Sequence, residues 1–395
     1  MDYKRLLTQV EKTLETIETE DTQWTVAMIA ETIAANFRDE LGITGGRIYE
    51  SRGDDSFVIV GKFGEANETA MGMVVPREYK PIELVLENGI VVMDPSDPAI
   101  DPVLEERLGA RRFAAIAAGD HEYIVSFDVA PELGREDILF SLNLIRYVIN
   151  QRVRAQRFES LIVEAQRIQA SILPQRVPQY RGFDIWGKTV PAEIVSGDFY
   201  DFIPISDSIL GLTIADGSGH GLPAALVVRD IYMGLRMATD RDFKIVKTLE
   251  KLNHIIHRSR MTTKFVTLFY GELETGGILI YSNAGHNPPF LLKRNHIELL
   301  KNGGPVLGPT PDAIYTRGFA KLDPGDLLCL YSDGIVEAHD NHDREFSLER
   351  LQRVVKANRT RTSHEIGQEV LARVAKWGRA GEDDRTVVIV KALPA

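Results

Sequence analysis

Residues 209–221 read Ile-Leu-Gly-Leu-Thr-Ile-Ala-Asp-Gly-Ser-Gly-His-Gly, an apolar run that leads into a glycine-rich loop. The first seven residues are mostly apolar and include Thr and Ile, which is typical of a buried β-strand. The strand is followed at once by Asp216 and by a loop in which every second residue is glycine. Because glycine lacks a side chain, the backbone of such a loop can approach an ion closely. The stretch therefore predicts a carboxylate at a strand end, beside an accessible backbone.

Other aspartates share this setting. Asp198 lies in Ser-Gly-Asp-Phe-Tyr-Asp at 196–201, Asp333 follows an apolar strand, and Asp383 and Asp384 precede the last one. Carboxylates that converge from several strand ends repel one another unless cations neutralise them, and hard oxygen ligands suit Mg²⁺ or Mn²⁺. A single Asp-Gly pair is a common turn, so the prediction of a metal site depends on the order of these motifs along the chain.

The region beyond Gly182 alternates short strands with two helical blocks, at about 222–258 and 347–378. Grouped helices among many strands indicate an antiparallel sandwich covered by helices, rather than alternating βαβ units. The predicted strands are 184–190, 209–215, 265–271, 277–282, 327–332 and 385–390.

The first part of the chain has a different pattern. Apolar residues recur at helical spacing within residues 1–40, and the region from Gly45 to Ile124 contains short β-branched and aromatic runs. A long helical pattern then covers 137–173. This order predicts an α+β domain.

The helical segment 142–173 joins the two parts and has two interpretations. It is either a single amphipathic helix lying on one domain, or a dimeric coiled coil through which the first domain acts on the second. The coiled coil would use the seam Val148, Gln151, Ala155, Phe158, Ile162, Ala165, Gln169 and Ile172.

Length and charge agree with a two-domain globular protein. The chain has 395 residues, 44% of them hydrophobic, and a net charge of −11, which argues against a nucleic-acid or anionic-membrane partner. Residues 1–150 hold 14 Lys+Arg against 28 Asp+Glu, whereas 151–395 hold 32 against 29. The acidity therefore belongs to the N-terminal part, and the C-terminal surface can receive an acidic partner.

The single cysteine, Cys329, excludes an intrachain disulfide and a cysteine-based zinc site, and it predicts a structural thiol in a reducing compartment. No secretory signal or stretch of ~18 apolar residues is present, so we expect a cytoplasmic protein.

Residues from about 160 to 392 resemble the bacterial SpoIIE/RsbU-like branch of the metal-dependent PPM serine/threonine phosphatases. Seven ordered boxes carry the resemblance: 165–174, 197–201, 216–225, 283–289, 304–308, 331–334 and 383–386.

The resemblance implies an α-β-β-α sandwich with two Mn²⁺ or Mg²⁺ ions at one edge. Asp198 and Asp216 would face the metals, with Asp216 bridging them, and Gly217 would offer its carbonyl. Asp333 and one of the adjacent pair Asp383 and Asp384 would complete the site; motif alignment favours Asp383. Two such cations can hold a hydroxide nucleophile and neutralise the phosphate.

Two histidines and two other positions have open roles. His220 is a candidate general acid because its side chain titrates near neutral pH, although it could equally brace the loop. His286 resembles a structural turn of the family. Asp201 could hold a metal-bound water or be a solvated acid, and Lys188 stands near the place where many PPM phosphatases outside this branch have an arginine.

Residues 1–150 resemble a GAF-type sensory domain at the level of the fold. The predicted organisation is a GAF-like domain at 1–141, a helical linker at 142–174 and the phosphatase domain at 175–395. A GAF-like domain implies a small-molecule ligand or dimerisation, so we expect a homodimer formed through the linker and this domain.

The resulting hypothesis is a metal-dependent phosphoserine/phosphothreonine protein phosphatase controlled by its N-terminal domain. Resemblance suggests a phosphorylated STAS-type anti-sigma-factor antagonist as its substrate. The alternative is a non-catalytic PPM fold that binds a partner while the first domain senses a ligand.

Overall fold

The computed structural model describes residues 22–36, 38, 42–53, 55–65, 70–108, 112–132, 134–193, 195–219, 221–239, 244–259, 265–294, 296–379 and 382–394. By its internal contacts the chain divides into two compact units, Met1–Leu161 and Ile162–Ala395. The division falls inside the predicted linker 142–174. Among the residues described, no helix combines the length and apolar character needed to cross a membrane.

In its described residues, the N-terminal unit is built on one antiparallel sheet of six strands, in the order β3-β2-β1-β6-β5-β4. Its elements are α1 Thr22–Asn36, β1 Ile43–Ser51, β2 Ser56–Gly64, β3 Val74–Pro76, α2 Lys80–Asn88, β4 Ile90–Met93, α3 Pro102–Leu108, β5 Phe113–Ala118, β6 Tyr123–Val129 and α4 Arg135–Ile172, which extends into the second unit.

Helices cover both faces of this sheet. Successive residues of β5 point to opposite sides, so Ile116 packs in a core with residues of α1 and α4, such as Ile29 and Ile145. Ala115 lies in the other core, with Ile82 of α2 and residues of α3. Because both faces of the sheet are buried, strands such as β4 and β5 are apolar at nearly every position.

Two helices in this unit were not predicted, because the region from Gly45 to Ile124 was interpreted as strands. Helix α2 has Pro81 in its first turn and is followed by Gly89 at φ 76°, a left-handed conformation. Proline at a helix start and glycine after its end are the usual punctuation of a short helix. Of the helix predicted within 1–40, α1 is described, and residues 1–21 lie outside the described part.

The part of the C-terminal unit that the structure describes contains two sheets. Their orders are β14-β11-β10-β9-β8, with β15 paired to β11, and β13-β12-β16-β17-β7. The elements are β7 Phe183–Val190, β8 Asp198–Ser206, β9 Ile209–Gly217, α5 Leu222–Thr239, α6 Ile245–Arg258, β10 Val266–Glu274, β11 Ile278–Ala284, β12 Phe290–Leu292, β13 Ile297–Leu299, β14 Gly303–Gly304, β15 Gly318–Lys321, β16 Leu327–Tyr331, α7 Asp333–Val336, α8 Leu348–Ala357, α9 Ser363–Trp377 and β17 Arg385–Ala392.

These elements form four layers. In β16, Leu328 and Leu330 pack between the two sheets against residues such as Ile214 of β9. Cys329 and Tyr331 point the other way, into the core made with α8 and α9. Helices α5 and α6 form a third core with the outer face of the first sheet. The predicted helix-covered antiparallel sandwich is thus confirmed.

The thiol of Cys329 is fully enclosed in its layer, and burial raises its pKa. It is a structural residue, as predicted from its apolar surroundings.

Each predicted helical block consists of two helices. The second block divides at Thr362, which starts α9 with a capping box: Glu365 N donates to Thr362 Oγ1, and Thr362 N donates to the Glu365 carboxylate. A Thr-x-x-Glu sequence is a recognisable signal for a new helix start.

Helix α4 is continuous from Arg135 to Ile172. Val148 lies in the core of the N-terminal unit and Ile172 in a core of the C-terminal unit, whereas Phe158 is 65% exposed. The ends of the predicted seam are therefore occupied by packing within each unit, and the coiled coil stays a prediction.

A close approach between α9 and β7 gives a test of the sandwich. A Cβ atom on Gly367 would lie 1.9 Å from Cζ3 of Trp186. Alanine normally stabilises a helix interior relative to glycine, but here it would overpack the core, so we expect Gly367→Ala to lower the free energy of unfolding by about 1–3 kcal/mol in urea. The exposed neighbour Gln368, changed to alanine, is the control. A Gly367→Ala protein more stable than the parent would contradict this packing.

Candidate active site

The β8–β9 hairpin brings two of the predicted aspartates together. Asp198 is the first residue of β8 and is the register partner of Asp216 near the end of β9. The loop leading into β8 is joined to the end of β9, since Gly217 N donates to Gly197 O at 3.0 Å. Register therefore places two carboxylates at the same edge of the first sheet.

The second sheet supplies the remaining acids at the same end. Asp333 starts α7 just after β16, and Asp383 and Asp384 come just before β17, the antiparallel neighbour of β16. A Cβ on Gly334 would lie 2.1 Å from the carbonyl oxygen of Asp384, so only glycine allows these two segments to approach so closely.

Hydrogen bonds across the two sheets hold the Asp198 carboxylate. Thr386 Oγ1 of β17 donates to Asp198 Oδ2 at 2.7 Å, and the Ser332 side chain also hydrogen-bonds to this carboxylate. Asp198 is 1% exposed. Burial raises its pKa well above the ordinary value, the charge of Asp216 raises it further, and these two hydroxyls partly oppose the shift.

Asp216 lies at the electrostatic centre of the cluster. Burial first, and then the charges of Asp333, Asp383, Asp384 and Glu337, raise the pKa of Asp216 to about 8. Such a site binds protons or cations to relieve the repulsion among its acids.

Asp333 lies in the same field. Burial raises its pKa, and the charge of Glu337 adds to the increase. Its Oδ1 accepts a local hydrogen bond, from Gly334 N at 2.9 Å. Asp216 and Asp333 thus both lie where burial and nearby negative charges disfavour an ionised carboxylate.

Asp383 and Asp384 differ in exposure and in contacts. Asp384 is buried, and its carboxylate accepts from Ala192 N at 2.7 Å and from Gly197 N at 2.6 Å. Asp383 is exposed, and its charge acts on Asp216. Both oxygens of Asp384 are therefore engaged in fixing the loop before β8.

The acids of this cluster offer the hard oxygen atoms that a divalent ion requires. Within the described part of the chain, no group of three His, Cys, Asp or Glu side chains is already arranged to hold a metal ion. Mg²⁺, however, is usually bound through one or two carboxylates with water completing the shell. Asp198, Asp216 and Asp333 supply carboxylate oxygens whose raised pKa values show that a positive charge is favoured there, so they suit such an ion.

The predicted Gly217 carbonyl lies in the same loop region. Gly217 O is 3.1 Å from the position that a Cβ on Gly197 would occupy, so the two glycines allow close packing here. His220 lies outside the described residues. Its neighbours Gly219 and Gly221 have φ values of 94° and 72°, which favour glycine.

The structure shows the contacts or the exposure of His286, Asp201 and Lys188. His286 is buried, its Nδ1 lies 2.7 Å from Thr267 Oγ1, and burial lowers its pKa to about 4, which fits the structural interpretation. Asp201 is not a solvated acid, because its carboxylate is buried and its Oδ2 accepts two hydrogen bonds from Arg236 of α5; its role in holding a water stays a prediction. Lys188 is exposed on β7.

Sequence reasoning missed several residues of the site. Glu337 follows Asp333 by four residues, the spacing at which side chains share a helix face, and this signal could have found it. Ser332 and Thr386 lie within the quoted boxes, but their hydrogen bonds to Asp198 link segments far apart in sequence.

Comparison with known proteins agrees with this arrangement. Residues 206–393 match the family model of Stage II sporulation protein E (SpoIIE), a range that starts after Asp198 and includes the other aspartates of the cluster. Protein IcfG of Synechocystis sp. is 28% identical over 313 residues, which cover 70% of this chain and 49% of that protein. The phosphoserine phosphatase RsbU of Bacillus subtilis is 29% identical over 273 residues, which cover 65% of this chain and 80% of RsbU.

The chain thus spans about half the length of the first of these relatives. Among solved structures, the SiaA-PP2C domain of Pseudomonas aeruginosa aligns with a TM-score of 0.53 and 20% identity, covering 60% of this chain and 98% of that one. At this identity the likeness shows the fold. The family match over residues 206–393 and the RsbU relative confirm the predicted resemblance: this chain is similar to SpoIIE/RsbU-like proteins of the PPM serine/threonine phosphatase class.

Proposed function

We propose that the chain is a metal-dependent phosphatase that removes phosphate from phosphoserine or phosphothreonine of a regulatory protein. The observation that carries the proposal is the cluster of Asp198, Asp216, Asp333 and Asp383 at one edge of the sandwich. Burial, and then the charges of the neighbouring acids, raise the pKa of Asp216 to about 8, so a bound cation would be strongly favoured there.

The proposed ligands are Asp198, Asp216, the Gly217 carbonyl, Asp333 and Asp383, for two Mn²⁺ or Mg²⁺ ions. When bound, such ions supply an activated water as nucleophile and neutralise charge on the phosphate. Thr386 and Ser332 orient the Asp198 carboxylate, and Asp384 fixes the backbone at Ala192 and Gly197. His220 is the proposed general acid for the serine or threonine oxygen that leaves.

The proposed substrate is a phosphorylated STAS-type anti-sigma-factor antagonist. One of the relatives is named a phosphoserine phosphatase, which supports the phosphoserine part of this proposal. The weakly positive C-terminal part, 32 Lys+Arg against 29 Asp+Glu in 151–395, is compatible with an acidic phosphoprotein. Removal of the phosphate would let the antagonist change its binding partner, a partner-switching role that we place in the cytoplasm.

The N-terminal unit is proposed to act as a GAF-like sensory domain in a homodimer, with α4 as the helical connection and its coiled coil as the dimer contact. A small cavity of about 20 Å³ lies between the sheet and α2 and α3, and its lining includes Arg47, Tyr49, Tyr79 and Glu105. Arg47 is buried, with NH1 donating to Asp128 and NH2 to Leu108 O. The small-molecule ligand proposed for this unit would have to widen this cavity, which has room for about one water molecule.

The competing function is partner binding without catalysis. A degenerate phosphatase fold would be expected to lose acids of its metal site, and all those named above are present, so the observations favour the enzyme.

Replacing Asp216 with asparagine tests the proposed activity. The change keeps the shape of the side chain and removes the charge at the centre of the cluster, so we expect turnover of p-nitrophenyl phosphate with Mn²⁺ to fall at least about 100-fold. Calorimetry with Mn²⁺ should show weakened binding in the same protein. Asp207→Asn, in the exposed turn at the far end of the same hairpin, is the control. Retention of more than about a tenth of the parent turnover would refute the metal assignment.

A second comparison separates the two adjacent acids. We expect Asp383→Asn to weaken Mn²⁺ binding at least about tenfold with little change in thermal stability, because its charge acts on Asp216. Asp384→Asn replaces an acceptor of two backbone bonds with an amide, so we expect a loss of about 1–3 kcal/mol in the free energy of unfolding. The opposite pattern in calorimetry and urea unfolding would make Asp384 the ligand.

A further inference from the structure

The last turns of α4 contain a buried glutamine for which the proposed chemistry has no role. Gln169 is 8% exposed, whereas its neighbours Ile168 and Ala170 are exposed. Ile172, three residues on, packs with residues of β8, β9 and α5 in the core of the C-terminal unit. The end of the helix therefore has an apolar anchor besides Gln169.

The carboxamide of Gln169 pairs in both directions with one backbone residue. Its Oε1 accepts from Ser196 N at 2.9 Å, and its Nε2 donates to Ser196 O. Ser196 is 1% exposed, so without Gln169 these groups would lose partners in a place with little access to water. The Gln169 amide thus satisfies both the N–H and the C=O of Ser196, as the backbone of a paired β-strand does.

Ser196 leads directly to the metal-facing carboxylate. Asp198 N donates to Ser196 Oγ at 3.0 Å, and Gly197 N donates to Asp384 at 2.6 Å. The three residues before and at the start of β8 are therefore held from two sides, by Gln169 on α4 and by Asp384 next to β17.

We propose that Gln169 is a positioning residue that fixes Asp198 for metal binding by latching the end of α4 to Ser196. The inference rests on the proposed metal site and adds a regulatory consequence to it. A shift or rotation of the last turn of α4 breaks both bonds to Ser196 and lowers the affinity of the site for its cations. Both residues of the latch lie in the C-terminal unit.

Gln169→Met in the full chain is the test, because methionine has a similar volume and length and forms neither bond. Gln175→Met is the matched control: the Gln175 amide also donates to backbone carbonyls, those of Ala170 and Leu173, but has no bond to the Ser196 loop.

The first measurement is hydrogen–deuterium exchange of the metal-free protein, which does not depend on catalysis. In Gln169→Met we expect peptides covering 195–198 to exchange at least about tenfold faster, as loss of one or two buried hydrogen bonds implies. Peptides from the middle of β9 should stay within about twofold of the parent, as should all peptides of Gln175→Met.

The second measurement is the Mn²⁺ dependence of binding, by calorimetry, and of p-nitrophenyl phosphate turnover. We expect the half-saturating Mn²⁺ concentration to rise at least about tenfold while turnover at saturating Mn²⁺ stays within about twofold, a split that general loss of fold would not produce.

The latch would be overturned if exchange at 195–198 were unchanged in Gln169→Met. It would also be overturned if that loop exchanged faster but Mn²⁺ affinity were unchanged, or if Gln175→Met had equal effects. A parent that binds Mn²⁺ but does not hydrolyse phosphate esters would count against the proposed function alone, since exchange and metal affinity would still report on Gln169. A parent that binds no Mn²⁺ would overturn both.

Discussion

Repulsion among carboxylates enclosed at the edge of the two sheets is the constraint on which the C-terminal unit depends. Two unit charges about 4 Å apart repel by about 4 kcal/mol at an effective dielectric constant of about 20, whereas a whole domain is stable by only about 5–15 kcal/mol. The fold opposes this cost with hydroxyl and backbone donors at Asp198 and Asp384. Asp198, Asp216 and Asp333 nevertheless keep raised pKa values, so these three carboxylates still need to be neutralised.

The layers of the sandwich make this concentration of charge possible. One sheet supplies Asp198 and Asp216, the other supplies Asp333 and the 383–384 pair, and the apolar core between the sheets fixes their separation. Bonds between the sheets are few and specific, such as Thr386 to Asp198. Rigid packing of apolar layers thus serves to hold polar groups in an arrangement that they would not adopt alone.

Much of this could be predicted because the signals are local in sequence. Alternating apolar residues identified strands such as β9 and β16, and the acids at their ends were recognised from the order of the boxes. Helix α2 and the capping box at Thr362 were missed although their signals are also local. The partners of Asp201 and Ser196 could not be predicted, because Arg236 and Gln169 lie 35 and 27 residues away and reach them only through tertiary packing.

The place of β17 in its sheet has a consequence for synthesis of the protein. This strand lies between β16 and β7, so the first strand of the C-terminal unit pairs with the last one, Ala392 with Phe183 and Arg385 with Val190. Ribosomes make β7 long before β17, and the contact must therefore wait until nearly the whole unit has emerged. The β8–β9 hairpin can bring Asp198 and Asp216 together early, but Asp383 and Asp384 arrive only with β17, so no shorter nascent fragment can assemble the complete cluster.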